Sequence, residues 1–544
     1  MSDAPAGPAD ERDVTPPARR RWMAPATDDT GTGIIGVLFV ALMMRFWQLG
    51  YLGVWTDEAT AWTESRLPFR ALIEFCIHKD ASPPLFYLLT GWALKLGDNE
   101  TNLRLVSALA SLALVWVTYR ISRLGADRRT STIAAALLAL SPFQIMYAQE
   151  ARTYALVGLW TVLALTLFAR AVLFERRRSW LPFVLVSALG LWTQDLFALG
   201  IGVQAAVILF TPAGRRESRR WLIAMAAVVL LVLPWLILSR TGSDLGSSHW
   251  YVPGVNRHNM FQVLRALFLS PIPLVSPAPT AHLPGLDHFM PRALAWALLI
   301  AAPALPLALV LGGLRDGSAR GRVARFALAG LMLPLVAVFV VSLVHPLWLP
   351  RYFVFLGPMV AVLAAYGLAA LKPRALSMAW TGLLLLMSAY GTFRYFTDYS
   401  KEPWRQAVER IAERSDPSRA AVIVTFDPDP FVYYDTRRER PFRWAAAAHP
   451  DVPFHDAFTD GQLGWIERSL RDSTAWAPEV WVVVRSPNSA VRKRVAALAN
   501  AVAAEGRLRA EGDTLESMGG PVRLAHYVRV SGGGSADTLR VVPR

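Results

Sequence analysis

Pro83-Pro84-Leu85-Phe86-Tyr87-Leu88-Leu89-Thr90-Gly91-Trp92-Ala93-Leu94-Lys95-Leu96 is the stretch on which the fold of this chain turns. It is apolar, but it is short and opens on two prolines, whereas a membrane-spanning helix needs about 20 apolar residues. Eleven other segments are candidate spans: 33–50, 103–122, 130–147, 153–174, 180–194, 196–211, 221–239, 292–313, 326–344, 352–371 and 376–393. The basic loops between them decide what 83–96 does, because short cytoplasmic loops are enriched in Lys and Arg. If 83–96 lies along the interface, five clusters fall on the same side as the basic tail of Arg12, Arg19, Arg20 and Arg21. These are Arg120/Arg123/Arg128/Arg129, Arg176–Arg178, Arg215/Arg216/Arg219/Arg220, Arg315/Arg320/Arg322/Arg325 and Lys372/Arg374. If 83–96 crosses, all five move to the opposite side. The interfacial reading is therefore adopted, and eleven crossings follow.

Composition agrees with a chain written for lipid. It is 54% hydrophobic and 18% charged, with a mean hydropathy of +0.33, against roughly 25% charged residues in soluble domains. The net charge of +15 does not signal nucleic-acid binding, because the arginines sit in short loops between apolar segments. Lys occurs only at 79, 95, 372, 401 and 493, so nearly all basic charge is Arg. The single cysteine, Cys76, excludes an intrachain disulfide and a cysteine-based metal cluster. The nine His residues form no close pair, so a His-rich zinc site is not expected; a single metal held by His and carboxylate is left open. The first apolar run follows a basic tail and lacks a small-residue cleavage site after it, as an uncleaved signal anchor does.

The reading divides the chain into a basic cytoplasmic tail (1–32), a helical membrane domain (33–397) and a small extracytoplasmic α/β domain (398–544). Residues 51–100 become a long first outer loop carrying juxtamembrane helices. In the last part, Ala421-Val422-Ile423-Val424-Thr425 and Val480-Trp481-Val482-Val483-Val484 have the pattern of buried strands. Helical spacing covers 402–414 and 488–504, and a final strand is expected from Arg523 to Val530. The Ser531–Ser535 stretch is a flexible element, not a phosphate loop.

This topology places five polar clusters on the outer side, although it uses only the basic residues of the inner loops. They are Asp57-Glu58, His78-Lys79-Asp80, the run Tyr147 to Arg152, Gln194-Asp195 and Arg351-Tyr352. Carboxylates beside lipid are costly unless they face water or a polar cavity. Several of them with a few cations suit a reaction that needs a base and anion stabilisation. Glycosyl transfer from a lipid-linked sugar phosphate fits: a carboxylate takes the proton of an acceptor hydroxyl, and Arg or Lys neutralises the departing phosphate. The candidate catalytic residues are Asp57 and Glu58. The candidate substrate and phosphate ligands are His78, Lys79, Asp80, Tyr147, Gln149, Glu150, Arg152, Arg351 and Tyr352. Each cluster also has a plainer reading. Asp57-Glu58 would serve as a helix cap, Tyr147–Arg152 as an interfacial belt, Gln194-Asp195 as a turn and Arg351 as a headgroup anchor.

These clusters resemble those of bacterial GT-C glycosyltransferases, a PMT-like and Rgt-like group related to protein O-mannosyltransferases and the lipid A aminoarabinose transferase. The resemblance rests on the early Asp57-Glu58 and on His-x-Asp-x-x-Pro-Pro-Leu-x-Tyr-x-Leu-Leu from His78 to Leu89. It rests also on Asn102-Leu-Arg104-Leu, Tyr-Ala-Gln-Glu-Ala-Arg-x-Tyr over 147–154, and Pro350-Arg351-Tyr352. It covers roughly 33–395, and the Tyr-Ala-Gln-Glu-Ala-Arg run is its most specific part. It implies inverting transfer from a polyprenyl-phosphate sugar to a lipid, polysaccharide or protein acceptor, with the acid of the first outer loop, Asp57, as base. Aminoarabinose transferases carry a phosphate-contacting Lys in a Glu-Lys-Pro where Ser82-Pro83-Pro84 stands here. Phosphate binding then falls to Lys79, Arg152 or Arg351. No cofactor is required, although some relatives use a divalent metal. A transporter or flippase of lipid-linked sugars is the alternative. It would place charges near the bilayer midplane within internal repeats, and neither pattern is evident.

Overall fold

The computed structural model describes residues 32–80, 82–239, 254–274, 290–425, 427–446, 460–486, 489–511, 516–517 and 522–530. The basic tail and Ser531–Ser535 lie outside the described residues. The first part is a helical bundle. Its helices are α1 (Thr32–Phe46), α2 (Thr56–Ser65), α3 (Phe69–Phe75, running on into a wider turn at Cys76–Asp80), α4 (Leu85–Leu94) and α5 (Glu100–Ser122). Next come α6 (Arg128–Ala139), α7 (Pro142–Ala148), α8 (Tyr154–Val172), α9 (Trp180–Leu191), α10 (Ala198–Phe210), α11 (Pro212–Leu238) and α12 (Arg257–Phe268). The bundle ends with α13 (Arg292–Gly313), α14 (Ala319–Ser342), a 3₁₀ turn at Pro350–Leu356, α15 (Gly357–Leu368) and α16 (Arg374–Asp398).

All eleven expected segments are helical, but they differ in reach. Among the described residues seven helices are long and apolar enough to cross a membrane, or eight if the bent pair α6–α7 is one span. The expected eleven crossings therefore exceed what length supports: α1, α9 and α10 are only 15, 12 and 13 residues long. The segment 83–96 contributes the 10-residue α4, about 15 Å at 1.5 Å per residue, which is half a hydrocarbon core.

Local sequence sets the helix boundaries. Asn99 caps α5, its side chain accepting from Asn102 N at 2.9 Å, and Asp127 caps α6 through Thr130 N at 2.9 Å. Ser141 caps α7, with Pro142 in its first turn, and the two helices meet at a 58° bend. The break leaves carbonyls without helical donors. The buried Arg45 of α1 reaches across to Ala139 O at 2.9 Å and Leu138 O at 3.3 Å, and the Thr392 hydroxyl donates to Leu140 O at 2.8 Å. Irregular backbone at this depth is tolerated only when satisfied in this way.

The second part is the expected α/β unit. Its helices are α17 (Trp404–Arg414), α18 (Asp429–Asp435), α19 (Asp460–Trp476) and α20 (Ser489–Glu505). Its strands are β1 (Ala420–Val424), β2 (Arg443–Ala446), β3 (Glu479–Arg485), β4 (Leu508–Ala510), β5 (Glu516–Ser517) and β6 (Val522–Arg529). The sheet order is β2-β1-β3-β6-β4, with β5 also on β6. Strand β3 is central: parallel to β1 (Ile423 opposite Val482) and antiparallel to β6 (Val482 opposite Ala525). Both faces are covered, so β1 and β3 read as continuous apolar runs rather than alternating ones.

This unit seats on the first loop of the membrane part. Val54, Ala59, Trp62, Leu94, Leu103 and Ala151 share one buried cluster with Tyr433 of α18. Val54 N donates to the Tyr434 hydroxyl at 2.6 Å, the Thr56 hydroxyl donates to Glu402 at 2.9 Å, and Arg437 pairs with Asp98 at 2.6 Å.

Candidate functional site

The bend at Pro142 and the non-helical turn after Ala148 turn residues 149–153 back toward the start of α2. Gln149 is fixed there from both sides. Its side-chain amide donates to Trp47 O at 2.7 Å and Arg45 O at 3.2 Å, and the Tyr395 hydroxyl donates to its oxygen at 3.2 Å. Ala151 N donates to Glu58 Oε1 at 2.9 Å, tying the turn to α2. Arg152 Nη1 approaches Asp57 O at 3.4 Å, and the Thr153 hydroxyl donates to Gln194 Oε1 at 2.9 Å.

Asp57 and Glu58, neighbours at the N-terminal turn of α2, face different surroundings. Glu58 is completely buried and fully paired. Arg104 of α5 grips it with two hydrogen bonds of 2.7 Å, and Lys401 reaches its other side at 2.8 Å. Burial alone would push the Glu58 carboxyl up. The charges and hydrogen bonds of Arg104 and Lys401 overcome that and hold it down, at about 2. Arg104 also donates to the carbonyls of Leu49, Leu52 and Gly53, pinning the chain between α1 and α2. Glu58 thus holds the loop in place, and no oxygen of it is left for a substrate.

Asp57 keeps 27% of its side chain exposed and pairs with Arg351 Nη1 at 2.8 Å. Arg351 stands in the 3₁₀ turn before α15. Behind the pair runs an edge-to-face chain of rings, Tyr147–Tyr154–Tyr352, with centroids 5.6 and 6.2 Å apart. Glu150, only 4% exposed, completes the cluster. Its carboxyl is pushed up to about 7, first by burial and then by the negative charges of Glu58 and Asp57, with Lys401 and Arg351 opposing. Lys401 is pushed the other way, down to about 8, by burial and the adjacent Arg104. Burial and the two neighbouring carboxylates outweigh these cations and leave the Glu150 carboxyl partly protonated near neutrality.

Asp57, Glu58, Tyr147, Gln149, Glu150, Arg152, Arg351 and Tyr352 are therefore brought together. His78 is exposed in the turn after α3 and makes no contact with this cluster. The side chains of Lys79 and Asp80 lie outside the described residues. Asp195 is exposed beside Gln194. Two residues absent from the candidates complete the site, Arg104 and Lys401. Arg104 stood in the Asn102-Leu-Arg104-Leu motif, but nothing in the local pattern marked Lys401, which is a cation in a loop. Among the described residues no group of three His, Cys, Asp or Glu side chains is placed to hold a metal ion.

Residues 81–238 match the model of the dolichyl-phosphate-mannose-protein mannosyltransferase family. No curated protein matches the sequence. In structure the chain is similar to ArnT from Cupriavidus metallidurans bound to undecaprenyl phosphate. The TM-score is 0.58 and the identity 14%, over 91% of this chain and 98% of that one. It is similar also to the Archaeoglobus fulgidus oligosaccharyltransferase in complex with Zn and sulfate. There the TM-score is 0.51 and the identity 13%, over 86% of this chain and 70% of that one. The chain thus has the fold of the GT-C glycosyltransferases, and within it residues 81–238 match the mannosyltransferase family model.

Proposed function

We propose that this protein moves a sugar from a polyprenyl-phosphate donor to an acceptor hydroxyl on the outer face of the cytoplasmic membrane, with inversion and with Asp57 as general base. The observation that carries the reading is the partly exposed Asp57–Arg351 pair, 2.8 Å apart beside a buried polar cluster. The donor phosphate competes with Asp57 for the Arg351 guanidinium, whose planar fork suits a phosphate. Once Arg351 turns to the phosphate, the Asp57 carboxylate is free to accept the acceptor's proton as the hydroxyl attacks the anomeric carbon. The bond from that carbon to the phosphate oxygen breaks, and its electrons leave on the lipid phosphate beside Arg351 and Arg152. The ArnT structure supports a lipid-phosphate carrier, since that protein binds undecaprenyl phosphate on the same fold.

Purified protein given a polyprenyl-phosphate sugar and an acceptor should release polyprenyl phosphate. Asp57→Asn should lower the rate by at least 100-fold, the range general-base catalysis supplies, with an unchanged melting temperature. Full activity in that variant refutes the base assignment. Movement of intact donor across a vesicle without its consumption would instead identify a flippase.

A further inference from the structure

At the end of the bundle opposite Asp57 lies a cavity of about 1330 Å³, among the ends of α5, α6, α8 and α14. Arg104 and Arg123 are separated by 19 positions along one helix, so the cavity mouth stands roughly 28 Å from the catalytic cluster. Six arginines line it (Arg120, Arg123, Arg128, Arg170, Arg176 and Arg322) against only two acids, Asp127 and Glu175. One of the two acids is engaged, since Asp127 caps α6. Among the described residues Arg120, Arg170 and Arg176 form no ion pair.

The lining is also graded. Beyond the arginines the wall continues along Val117, Leu163 and Leu167 toward the middle of α5 and α8. Trp116 stands at the rim, 39% exposed, with the Arg120 guanidinium 5.5 Å from its ring centre. A Trp with a stacked Arg is an interfacial arrangement. A cationic mouth with an apolar floor fits a molecule that has an anionic head and an acyl chain, whereas a free phosphate ion has no use for the floor.

We propose that this crevice binds an anionic glycerophospholipid from the leaflet opposite the Asp57 face, with its phosphate among Arg120, Arg170 and Arg176 and an acyl chain along Leu163 and Leu167. Basic pockets between membrane helices suit such headgroups, and binding ties α5 to α8, the two helices whose other ends carry Arg104 and the 149–153 turn.

The full chain in neutral detergent should melt at a higher temperature with phosphatidylglycerol and retain one molecule of it in native mass spectrometry. Phosphatidylcholine with the same chains and inorganic phosphate should do neither. The combined R120Q/R170Q/R176Q variant should bind phosphatidylglycerol at least tenfold more weakly, as should Leu163→Trp, which fills the floor without changing charge. Arg315→Gln, outside the crevice, should not. An equal shift with phosphatidylcholine or with phosphate overturns the proposal, as does unchanged binding by both crevice variants. Binding is read without any sugar transfer, so it holds or fails independently of the proposed activity.

Discussion

Asp57 and Glu58 share one turn of α2 and differ in what a substitution costs. Glu58→Gln leaves Arg104 and Lys401 buried without their counter-charge, and breaking a buried pair in this way costs about 3–5 kcal/mol. The variant should melt well below the parent, while Asp57→Asn melts with it. The Glu58 carboxyl lies at about 2, below its ordinary 4.5, so its stabilisation is complete above pH 4.5 and fades as the pH falls toward 2. Thermal melts between pH 6 and 3 should show that loss in the parent and a smaller one in Glu58→Gln. Glu150 has the opposite sign. Its carboxyl, pushed up to about 7 by burial and by neighbouring acids, is neutral below that pH and becomes an anion above it, beside the place proposed for the donor phosphate. The donor KM should rise as the pH passes upward through 7, with kcat little changed. Glu150→Gln should remove that rise, and an identical profile in the two proteins would dissociate Glu150 from donor binding.

The elements that build the site were legible to different degrees. The run 130–147 satisfies the length of one continuous span, yet the structure starts a second helix at Ser141-Pro142. The structure breaks it because Pro142 removes a donor, and Arg45 makes the break affordable by satisfying Ala139 O and Leu138 O. No pattern within α1 announces that role, since Arg45 and Ala139 are far apart in sequence and meet only through packing. Arg45→Met should leave Ala139 O without a donor, at about 1–3 kcal/mol for a buried group, while Leu138 O keeps Ser141 N. Thr392→Val, which removes one bond to Leu140 O, should cost about 1 kcal/mol. Unfolding in detergent measures both, and an Arg45→Met variant as stable as the parent would contradict the bridging role. Segment lengths were the weaker reading: hydropathy registers apolar residues, while α9 and α10 end at turns that hydropathy does not see.

Across the whole molecule, the arginine distribution brought Asp57, Glu150 and Arg351 to one side, and these residues do meet. Of the sheet, β1, β3 and β6 fall within a residue or so of the expected apolar runs, whereas β2, β4 and β5 are too short to show one. Lys401 was not legible, because an ion pair between residues 58 and 401 depends on how two units dock. That docking runs through Tyr434 and Trp62. Tyr434→Phe strips Val54 N of its acceptor and should loosen the loop that carries Asp57. Transfer should slow several-fold while the α/β unit keeps its own melting transition, and an unchanged rate would show that the seat does not govern the loop.

The Lys401–Glu58 pair also bears on when the protein becomes competent. Glu58 and Arg104 leave the ribosome early, but the second cation on Glu58 lies about 300 residues further along the chain. Until that residue has been made and docked, Arg104 is the carboxylate's one cationic partner of the two and the 51–58 loop lacks its seat. A chain truncated before Lys401 should insert its early helices yet lose the register of Asp57. The register of Asp57 is then fixed late, by a loop residue that precedes the α/β unit.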